Sequence, residues 1–366
     1  MTAIDVRARA AVRDLKLYQP GQPIEEVKRK LQLSSVIKLA SNENALGPSP
    51  KALAALAKAT GSLHRYPESA CPVLRAKVAK KLRVDPDSLV FGNGSDELIV
   101  LALRAFVDPG DAVVVAQPTF LIYELQAKAC GALISVVPLK HYRYDLVAMK
   151  AAVTPHTKLV FIANPDNPTG TYVTKRELEA FLNGLPAHAI VFLDEAYQEF
   201  VGAADYPQSL AYARERGVIV TRSFSKAYGL AGLRIGYGIA PPSLIAAMNA
   251  VREPFNVNSL AQAAAVAALG DAAFLAKTRR LVEEGRRYLT AELDALRLRH
   301  VPSVTNFLLL ELGPEAPALA QALLARGVIV REMSAWQLPG CIRVTIGTVT
   351  ENRRFIRTLK QSLNRG

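Results

Sequence analysis

The chain has 366 residues, half of them hydrophobic and 21% charged, which is ordinary for a soluble globular protein and predicts one large domain with a smaller one. Its net charge of +13 comes from Lys and Arg residues that are interleaved with acids, without a long run of like charges. We therefore interpret the charge as a solvated surface with a bias toward anionic small molecules, and expect no nucleic-acid partner.

Membrane, secretion and metal signals are absent from the sequence. No stretch reaches about 20 uninterrupted apolar residues, so we expect no membrane span. The N-terminus is too charged for a secretory signal, which makes a cytoplasmic location the default. Cys71, Cys130 and Cys341 lie far apart, and neither they nor the histidines have the spacing of a zinc site or a disulfide framework.

The first element with a chemical signal is "GNGSDE" (92–97), between the apolar run "LVF" and a helical pattern. Glycines let backbone amides approach an anion, and a helix N-terminus favours negative charge. The amides of Ser95 and Asp96 are therefore candidate phosphate donors. A plain turn with an aspartate cap is the alternative, because the segment lacks the GxGxxG spacing and the P-loop lysine.

Between residues 112 and 240, short apolar runs alternate with amphipathic segments, of which 119–130 and 174–184 are predicted helices. The runs are nearly continuous in Val, Ile and Leu, as in strands that are buried on both faces. This alternation predicts a mostly parallel sheet covered by helices, with ligands at the carboxyl ends of the strands. The predicted strands are 112–117, 132–137, 158–164, 189–194, 217–223 and 235–240.

Two of these strands end in polar residues. In "NPDNPTG" (164–170) the prolines fix a turn that leaves the Asn167 side chain free to donate. Asp194 ends an apolar strand, where a bare carboxylate is costly and a protonated pyridine nitrogen is a suitable partner. Tyr197 is placed to donate to the phenolic oxygen of such a ring. A simple loop and a helix N-cap are the alternative interpretations.

The segment "SFSKAYGLAGLR" (223–234) follows another apolar run and places Lys226 among small and hydroxyl residues. A lysine becomes a nucleophile where burial or a neighbouring cation favours its neutral amine, and Arg234 is such a cation. The cofactor pyridoxal 5'-phosphate combines an aldehyde with a pyridine ring, so Lys226 and Asp194 together favour it. A solvated loop lysine is the alternative.

After about residue 258 the pattern changes. A helix is predicted at 272–298, where Leu275, Val282, Leu289 and Leu296 recur every seven residues as a core-facing stripe. Strands at 306–312, 328–332 and 341–346, with helices near 315–326 and from about 350, predict a small α/β domain.

These motifs resemble those of the fold-type I pyridoxal-phosphate aminotransferases, and most closely the histidinol-phosphate aminotransferases. The resemblance covers nearly the whole chain, in the order "YQPG" (18–21), "LASNENALGPSP" (39–50), "RYP" (65–67), "GNGSDE", "QPTF" (117–120), "NPDNPTG", "DEAYQEF" (194–200), "SFSKAYGLAGLRIGYG" (223–238), "NSLAQ" (258–262), "TNF" (305–307), "VIVRE" (328–332) and "CIRVTIGT" (341–348).

The resemblance implies a large domain with a mostly parallel mixed sheet sandwiched by helices, plus a smaller α/β domain. Residues 51–257 would form the large cofactor-binding domain and residues 258–366 the small C-terminal domain. Residues 1–50 would join the small domain and contribute a dimer contact.

The resemblance also implies roles for the cofactor site. Lys226 would bond to the cofactor aldehyde and move the proton during transfer. Phe120 would stack on the pyridine ring, and Tyr66 would reach the cofactor phosphate of the neighbouring subunit, which requires a homodimer with shared sites. The phosphate would be held by Ser223, Ser225, Arg234 and the amides of Ser95 and Asp96.

For the substrate, the resemblance implies anchoring by Arg343, Arg331 and Tyr18, with Asn167 beside them. Trp336 lies between the arginines and either lines the pocket or packs. The implied reaction transfers an amino group between L-histidinol phosphate and 2-oxoglutarate, giving imidazole acetol phosphate and L-glutamate, in L-histidine biosynthesis. An aromatic amino-acid aminotransferase, a phosphothreonine decarboxylase and a non-catalytic binding protein remain as alternatives.

Overall fold

The computed structural model describes residues 8–13, 15 and 21–363. Its α-helices are α1 (Ala10–Arg13), α2 (Ile24–Leu31), α3 (Pro50–Ala59), α4 (Pro72–Leu82), α5 (Ser95–Phe106), α6 (Ile122–Cys130), α7 (Leu146–Ala151), α8 (Lys175–Asn183), α9 (Leu210–Glu215), α10 (Pro242–Ala250), α11 (Ser259–Leu269), α12 (Ala272–Ala295), α13 (Ala316–Ala325) and α14 (Val349–Leu363). Its strands are β1 (Ile37–Lys38), β2 (Leu89–Gly92), β3 (Ala112–Gln117), β4 (Leu133–Pro138), β5 (Thr157–Ala163), β6 (Ile190–Asp194), β7 (Val218–Ser223), β8 (Gly236–Ile239), β9 (Arg299–Val301), β10 (Phe307–Glu311), β11 (Val328–Ile329), β12 (Arg331–Glu332) and β13 (Cys341–Thr345).

Several helices begin at a side-chain cap that the sequence supplies. Ser49, Thr174 and Asn258 each accept a hydrogen bond from a backbone amide in the first turn of α3, α8 and α11. Such a cap pairs a donor that would otherwise lack an intrahelical partner. At α8 the cap is reciprocal, because the Glu177 side chain accepts from the Thr174 amide.

The larger sheet has seven strands in the order β2-β8-β7-β6-β5-β3-β4. The five strands from β7 to β4 are parallel, whereas β8 is antiparallel to both of its neighbours. The inner strands β6 and β7 are buried along nearly their whole length, which explains why β6 reads IVFLD and β7 begins VIV. The predicted α/β class with a mostly parallel mixed sheet is confirmed.

Two predictions about individual strands are wrong. The run at 132–137 was expected to be buried on both faces, but Leu133 is 63% and Val136 43% exposed, because β4 is the last strand of the sheet. The run at 328–332 was expected to be one strand. It divides into β11, which pairs with β1, and β12, which pairs with β13.

A smaller antiparallel sheet has the order β12-β13-β10-β9 and packs against α12, α13 and α14. Val282 and Leu289 of α12 are buried in its core, while Leu275 and Leu296 pack at the margin, so the predicted core-facing stripe is confirmed. Helix α12 ends at Ala295, three residues before the predicted end. Helix α11 packs on α3 beside the larger sheet, and the domain bounds given above stay a prediction.

Within the described residues, no single helix has the length and apolar composition to cross a bilayer, although α11 and α12 together meet both criteria as a pair bent by 82°.

The parallel register brings the ends of several strands to one edge of the larger sheet. Ala163 at the end of β5 is opposite Asp194 at the end of β6, which is opposite Thr221 near the end of β7. Gly236 of β8 is opposite both Ser223 and Gly92, so the turn into α5 reaches the same edge. Three distant segments of the sequence therefore meet where parallel sheets bind ligands.

Candidate active site

A cavity of about 280 Å³ lies at this edge of the larger sheet, beside β12 and β13 of the smaller sheet. Twelve of the fourteen residues predicted from the sequence line it. They are Ser95, Asp96, Phe120, Asn167, Asp194, Tyr197, Ser223, Ser225, Lys226, Arg234, Arg331 and Arg343. The structure thus brings them together, while the role of each stays a prediction.

One end of the cavity is an anion cradle. Helix α5 directs its N-terminal amides into it at Ser95 and Asp96. Arg234 lies across this end, donating from Nη2 to Asp96 Oδ2 at 3.2 Å and from Nη1 to Ser225 Oγ at 3.4 Å. Ser223 Oγ accepts from the Ser225 amide at 3.0 Å. Amides, hydroxyls and a guanidinium at one end suit a phosphate group.

Gly94 makes the cradle possible. Its φ is +81°, a region that favours glycine, and a Cβ atom built there would lie 2.4 Å from Arg234 Nη2. The residue before α5 must therefore lack a side chain for the guanidinium to reach the helix terminus.

Lys226 follows the end of β7, is half-buried and lines the cavity. Its Nζ lies 3.5 Å from the Ser41 carbonyl oxygen and 5.6 Å from the centroid of the Tyr197 ring. Ser41 follows Ala40, whose carbonyl accepts from Arg343, and Lys226 follows Ser225, which accepts from Arg234. The amine thus lies between the residues that contact the two cationic groups.

Asp194 is buried at the end of β6. Its Oδ1 accepts from the Ala196 amide at 3.1 Å and its Oδ2 accepts from the Tyr123 hydroxyl at 2.8 Å. Burial raises the pKa of this carboxyl to about 6, although the Tyr123 hydrogen bond opposes the rise. A cationic ring nitrogen would relieve the cost of burying this charge.

The Tyr197 hydroxyl accepts from Asn42 Nδ2 at 2.9 Å, which leaves its own proton available for donation into the cavity. Asn42 is itself held by Thr345, whose hydroxyl accepts from the backbone amide of Asn42 at 2.9 Å. The N-terminal segment and the smaller sheet therefore both orient Tyr197.

Arg343 and Arg331 line the part of the cavity beside the smaller sheet, which we call the arginine end, and β12 and β13 place them directly across from each other. Arg343 is buried and donates from Nη2 to the Ala40 carbonyl at 2.9 Å and from Nη1 to Asn167 Oδ1. Because Asn167 accepts there through its oxygen, its Nδ2 group is left to donate. Trp336 is fully buried and its ring faces both guanidinium groups.

The structure does not place the other two predicted residues in the cavity of their own chain: Tyr66 lies outside it, and Tyr18 is not described. Tyr66 is 83% exposed and stacks on Phe255 at a ring-centroid distance of 4.8 Å, outside the cavity of its own chain. Tyr18 lies outside the described residues. Their proposed contacts with cofactor and substrate stay predictions.

Sequence reasoning missed Tyr123 and Asn42 as members of the site. Tyr123 lies three residues after Phe120, and within the predicted helix 119–130 that spacing would have indicated neighbouring side chains, although not the bond to Asp194. Asn42 belongs to the motif "LASNENALGPSP", but its left-handed backbone (φ 55°) and its contact across 155 residues have no local signal.

The donor set fits pyridoxal 5'-phosphate. The cradle suits the phosphate, Lys226 suits the aldehyde, buried Asp194 suits the ring nitrogen, and Phe120 supplies an aromatic face. Tyr197 and Asn167 both keep a donor for the phenolic oxygen. All these groups line one cavity.

Comparison with known proteins agrees with this assignment. Residues 34–359 match the family described as aminotransferase class I and II. The chain is 47% identical over 359 residues to the histidinol-phosphate aminotransferase of Moorella thermoacetica, covering 98% of this chain and 93% of that protein. It is 45% identical over 357 residues to histidinol-phosphate aminotransferase 2 of Carboxydothermus hydrogenoformans, covering 97% and 99%.

Among solved structures, the crystal structure of histidinol-phosphate aminotransferase from Sinorhizobium meliloti in complex with pyridoxal-5'-phosphate matches with a TM-score of 0.91 and 28% identity, over the full length of both chains. The chain therefore belongs to the class I and II aminotransferases, which depend on pyridoxal phosphate. Within that family, the relatives named above are histidinol-phosphate aminotransferases.

Proposed function

We propose that this aminotransferase acts on L-histidinol phosphate and 2-oxoglutarate, giving imidazole acetol phosphate and L-glutamate, as a step of L-histidine biosynthesis. The relatives of 45–47% identity, which carry this activity in their names, support the proposal. So does the chemistry of the cavity, which has an anion site at each end.

The observation that carries the proposal is the pair Arg331 and Arg343, opposite each other on β12 and β13. The cofactor phosphate would occupy the cradle at α5, and this second cationic pair would bind a second anion. Two guanidinium groups suit a phosphate dianion through paired hydrogen bonds. The same pair suits the distal carboxylate of glutamate, which allows both amino donors to use one pocket.

Each residue of the cavity then has a proposed role in the reaction. When bound, the cofactor supplies an aldehyde for the amino group and an electron sink for the carbanion. Lys226 would hold the cofactor and move a proton at the substrate's α carbon, because its amine projects between the two anion sites. Asp194 would keep the ring nitrogen protonated, and Tyr197 and Asn167 would donate to the phenolic oxygen. Arg331 and Arg343 would orient the substrate.

We also propose a homodimer in the cytoplasm, with Tyr66 of each subunit completing the site of the other. The exposed stacked pair Tyr66 and Phe255 supports this, together with exposed Leu53, Leu63 and Val73 in the same part of the chain. Exposed aromatic and aliphatic side chains of this kind are typical of subunit interfaces.

The test is a single half-reaction followed by absorbance of the bound cofactor. The cofactor-loaded protein receives L-histidinol phosphate, L-phenylalanine or O-phospho-L-threonine in separate experiments. We expect conversion to the amino form at the lowest concentration with L-histidinol phosphate. An equal or better response to L-phenylalanine would contradict the substrate assignment, and carbon dioxide released from O-phospho-L-threonine would favour a decarboxylase.

A pair of variants tests the arginine end. Arg331→Gln should raise the KM for L-histidinol phosphate at least about tenfold, because it removes a charge-assisted contact with the phosphate. Arg353→Gln, at an exposed position on α14 outside the cavity, is the matched control and should leave KM unchanged.

A further inference from the structure

We propose that Tyr123 is a positioning residue for the cofactor: its hydroxyl keeps the Asp194 carboxylate charged and aimed at the pyridine nitrogen. The inference rests on the proposed role of Asp194. Sequence motifs did not indicate it, because Tyr123 lies outside the segments that carry the predicted site.

The geometry around Asp194 leaves few other partners for its charge. Of the two carboxylate oxygens, Oδ1 accepts from the Ala196 amide at 3.1 Å and Oδ2 from Tyr123 at 2.8 Å. The bond from the Ala196 amide is local, because Ala196 lies only two residues after Asp194. Among the described residues, Tyr123, 71 residues away, donates a hydrogen bond that reaches the carboxylate from another element, and the Thr221 side chain of β7 also lowers the pKa of Asp194.

The Tyr123 ring is itself held rigidly. It is buried, stacks on Phe161 of β5 at 4.9 Å with an interplanar angle of 11°, and meets Phe120 edge-on at 5.5 Å and 83°. Tyr123 therefore connects Phe120, which is proposed to stack on the cofactor ring, with Asp194, which is proposed to bind the ring nitrogen. A hydroxyl on a ring packed in this way has little freedom to leave its acceptor.

The direction of the hydrogen bond is set by charge. Burial and the neighbouring Asp194 carboxylate raise the pKa of Tyr123 well above its usual value, so the phenol stays protonated and donates. A donated hydrogen bond favours the ionised form of Asp194, whereas burial raises the pKa of that carboxyl. With the cofactor bound, Tyr123 would therefore help Asp194 stay ionised beside the ring nitrogen.

The test uses Tyr123→Phe, which removes the hydroxyl and keeps the ring packing. Two readouts need no substrate: the dissociation constant of pyridoxal 5'-phosphate, and the pH midpoint of the absorbance change of the bound cofactor. We expect about tenfold weaker cofactor binding, since the lost bond is to a charged group. We also expect the pH midpoint to move upward, because a cofactor ring with less positive charge withdraws less electron density from the group that titrates.

Tyr212→Phe is the matched control, because Tyr212 is also buried and donates to a carboxylate, Glu179, at 3.1 Å, but lies outside the cavity. It should leave both readouts unchanged. A Tyr123→Phe protein with wild-type affinity and pH midpoint would overturn the inference, as would equal changes in both variants.

Asp194→Asn separates this inference from the role on which it depends. If Asp194→Asn changes both readouts and Tyr123→Phe changes neither, the role of Asp194 stands and the inference about Tyr123 fails. If Asp194→Asn also changes neither, both fail. Since neither readout involves an amino donor, the result is independent of whether L-histidinol phosphate is the substrate.

Discussion

The guanidinium carbon of Arg331 lies 4.6 Å from the centroid of the Trp336 ring. The same ring lies 5.9 Å from the guanidinium carbon of Arg343, so one indole faces both cations of the substrate end. Like charges held close together repel, and an aromatic face with partial negative charge offsets part of that cost. Trp336 therefore packs in the core beside the two guanidinium groups and is not among the residues that line the cavity.

We expect Trp336→Leu to raise the KM for L-histidinol phosphate by about 3- to 30-fold, the range of a buried cation–π contact. Trp336→Phe keeps an aromatic face and should raise this KM by a smaller factor. Steady-state kinetics measure both effects. The dissociation constant of pyridoxal 5'-phosphate is the control and should not change, because the Trp336 ring faces Arg331 and Arg343 and not the cofactor cradle. Equal KM values for the two variants would show that packing alone matters.

A second prediction concerns the cofactor cradle. Gly94→Ala places a methyl group 2.4 Å from Arg234 Nη2, so the guanidinium must move from the helix terminus. We expect cofactor affinity to fall at least about tenfold, because a charge-assisted contact with the phosphate is displaced. Absorbance titration with pyridoxal 5'-phosphate measures the change.

Gly110→Ala is the matched control for Gly94→Ala. Gly110 also has a positive φ, +95°, but a Cβ atom there meets nothing within 4 Å, and the residue lies outside the cavity. It should reduce stability by about 1 kcal/mol through backbone strain while cofactor affinity stays unchanged. Equal losses of affinity in the two variants would contradict the steric explanation.

A third prediction concerns a buried carboxyl that sequence reasoning did not single out. Asp166 is fully buried between Thr119 and Thr169, whose hydroxyls donate to it at 2.7 and 2.8 Å. Burial raises its pKa to about 6. Between about pH 4 and pH 6 the folded state therefore holds a proton that the unfolded state has lost, and stability falls as pH rises through this window.

Asp166→Asn removes this titration. The difference in unfolding free energy between the variant and the wild type should shift in favour of the variant by up to about 3 kcal/mol as pH rises through the window. Chemical denaturation of both proteins at a series of pH values measures it. Other buried carboxyls, such as Asp194, titrate in both proteins and cancel in the difference. If the unfolding free energies of the two proteins change in parallel between about pH 4 and pH 6, Asp166 does not titrate in that window.

Much of the fold and cavity was predictable because it depends on local patterns. Continuous apolar runs predicted the inner strands, and the carboxyl-end rule predicted that Asp194 and Lys226 would meet. The burial of β4 was mispredicted because an edge strand and an inner strand have the same composition. The bond from Tyr123 to Asp194 and the position of Trp336 depend on tertiary packing, which no short pattern encodes.

The last prediction tests the shared site of the proposed homodimer. Lys226→Ala removes the amine from one chain, and Tyr66→Ala removes the side chain proposed to serve the neighbouring site. A hybrid dimer of the two variants would contain one site with the intact Lys226 of one chain and the intact Tyr66 of the other. We expect each variant alone to be impaired and an equal mixture, refolded together, to recover on the order of a quarter of wild-type activity.

The matched control is a mixture of Lys226→Ala with Arg234→Ala. Both side chains line the cavity of one chain, where Arg234 faces the cradle and Lys226 the centre, so the two lesions fall in different sites of the hybrid. Each site of that hybrid lacks one essential group, and its activity should not exceed the mean of the two parents. Recovery only in the mixture with Tyr66→Ala requires that Tyr66 acts across the interface, since a side chain acting within its own chain would behave like Arg234.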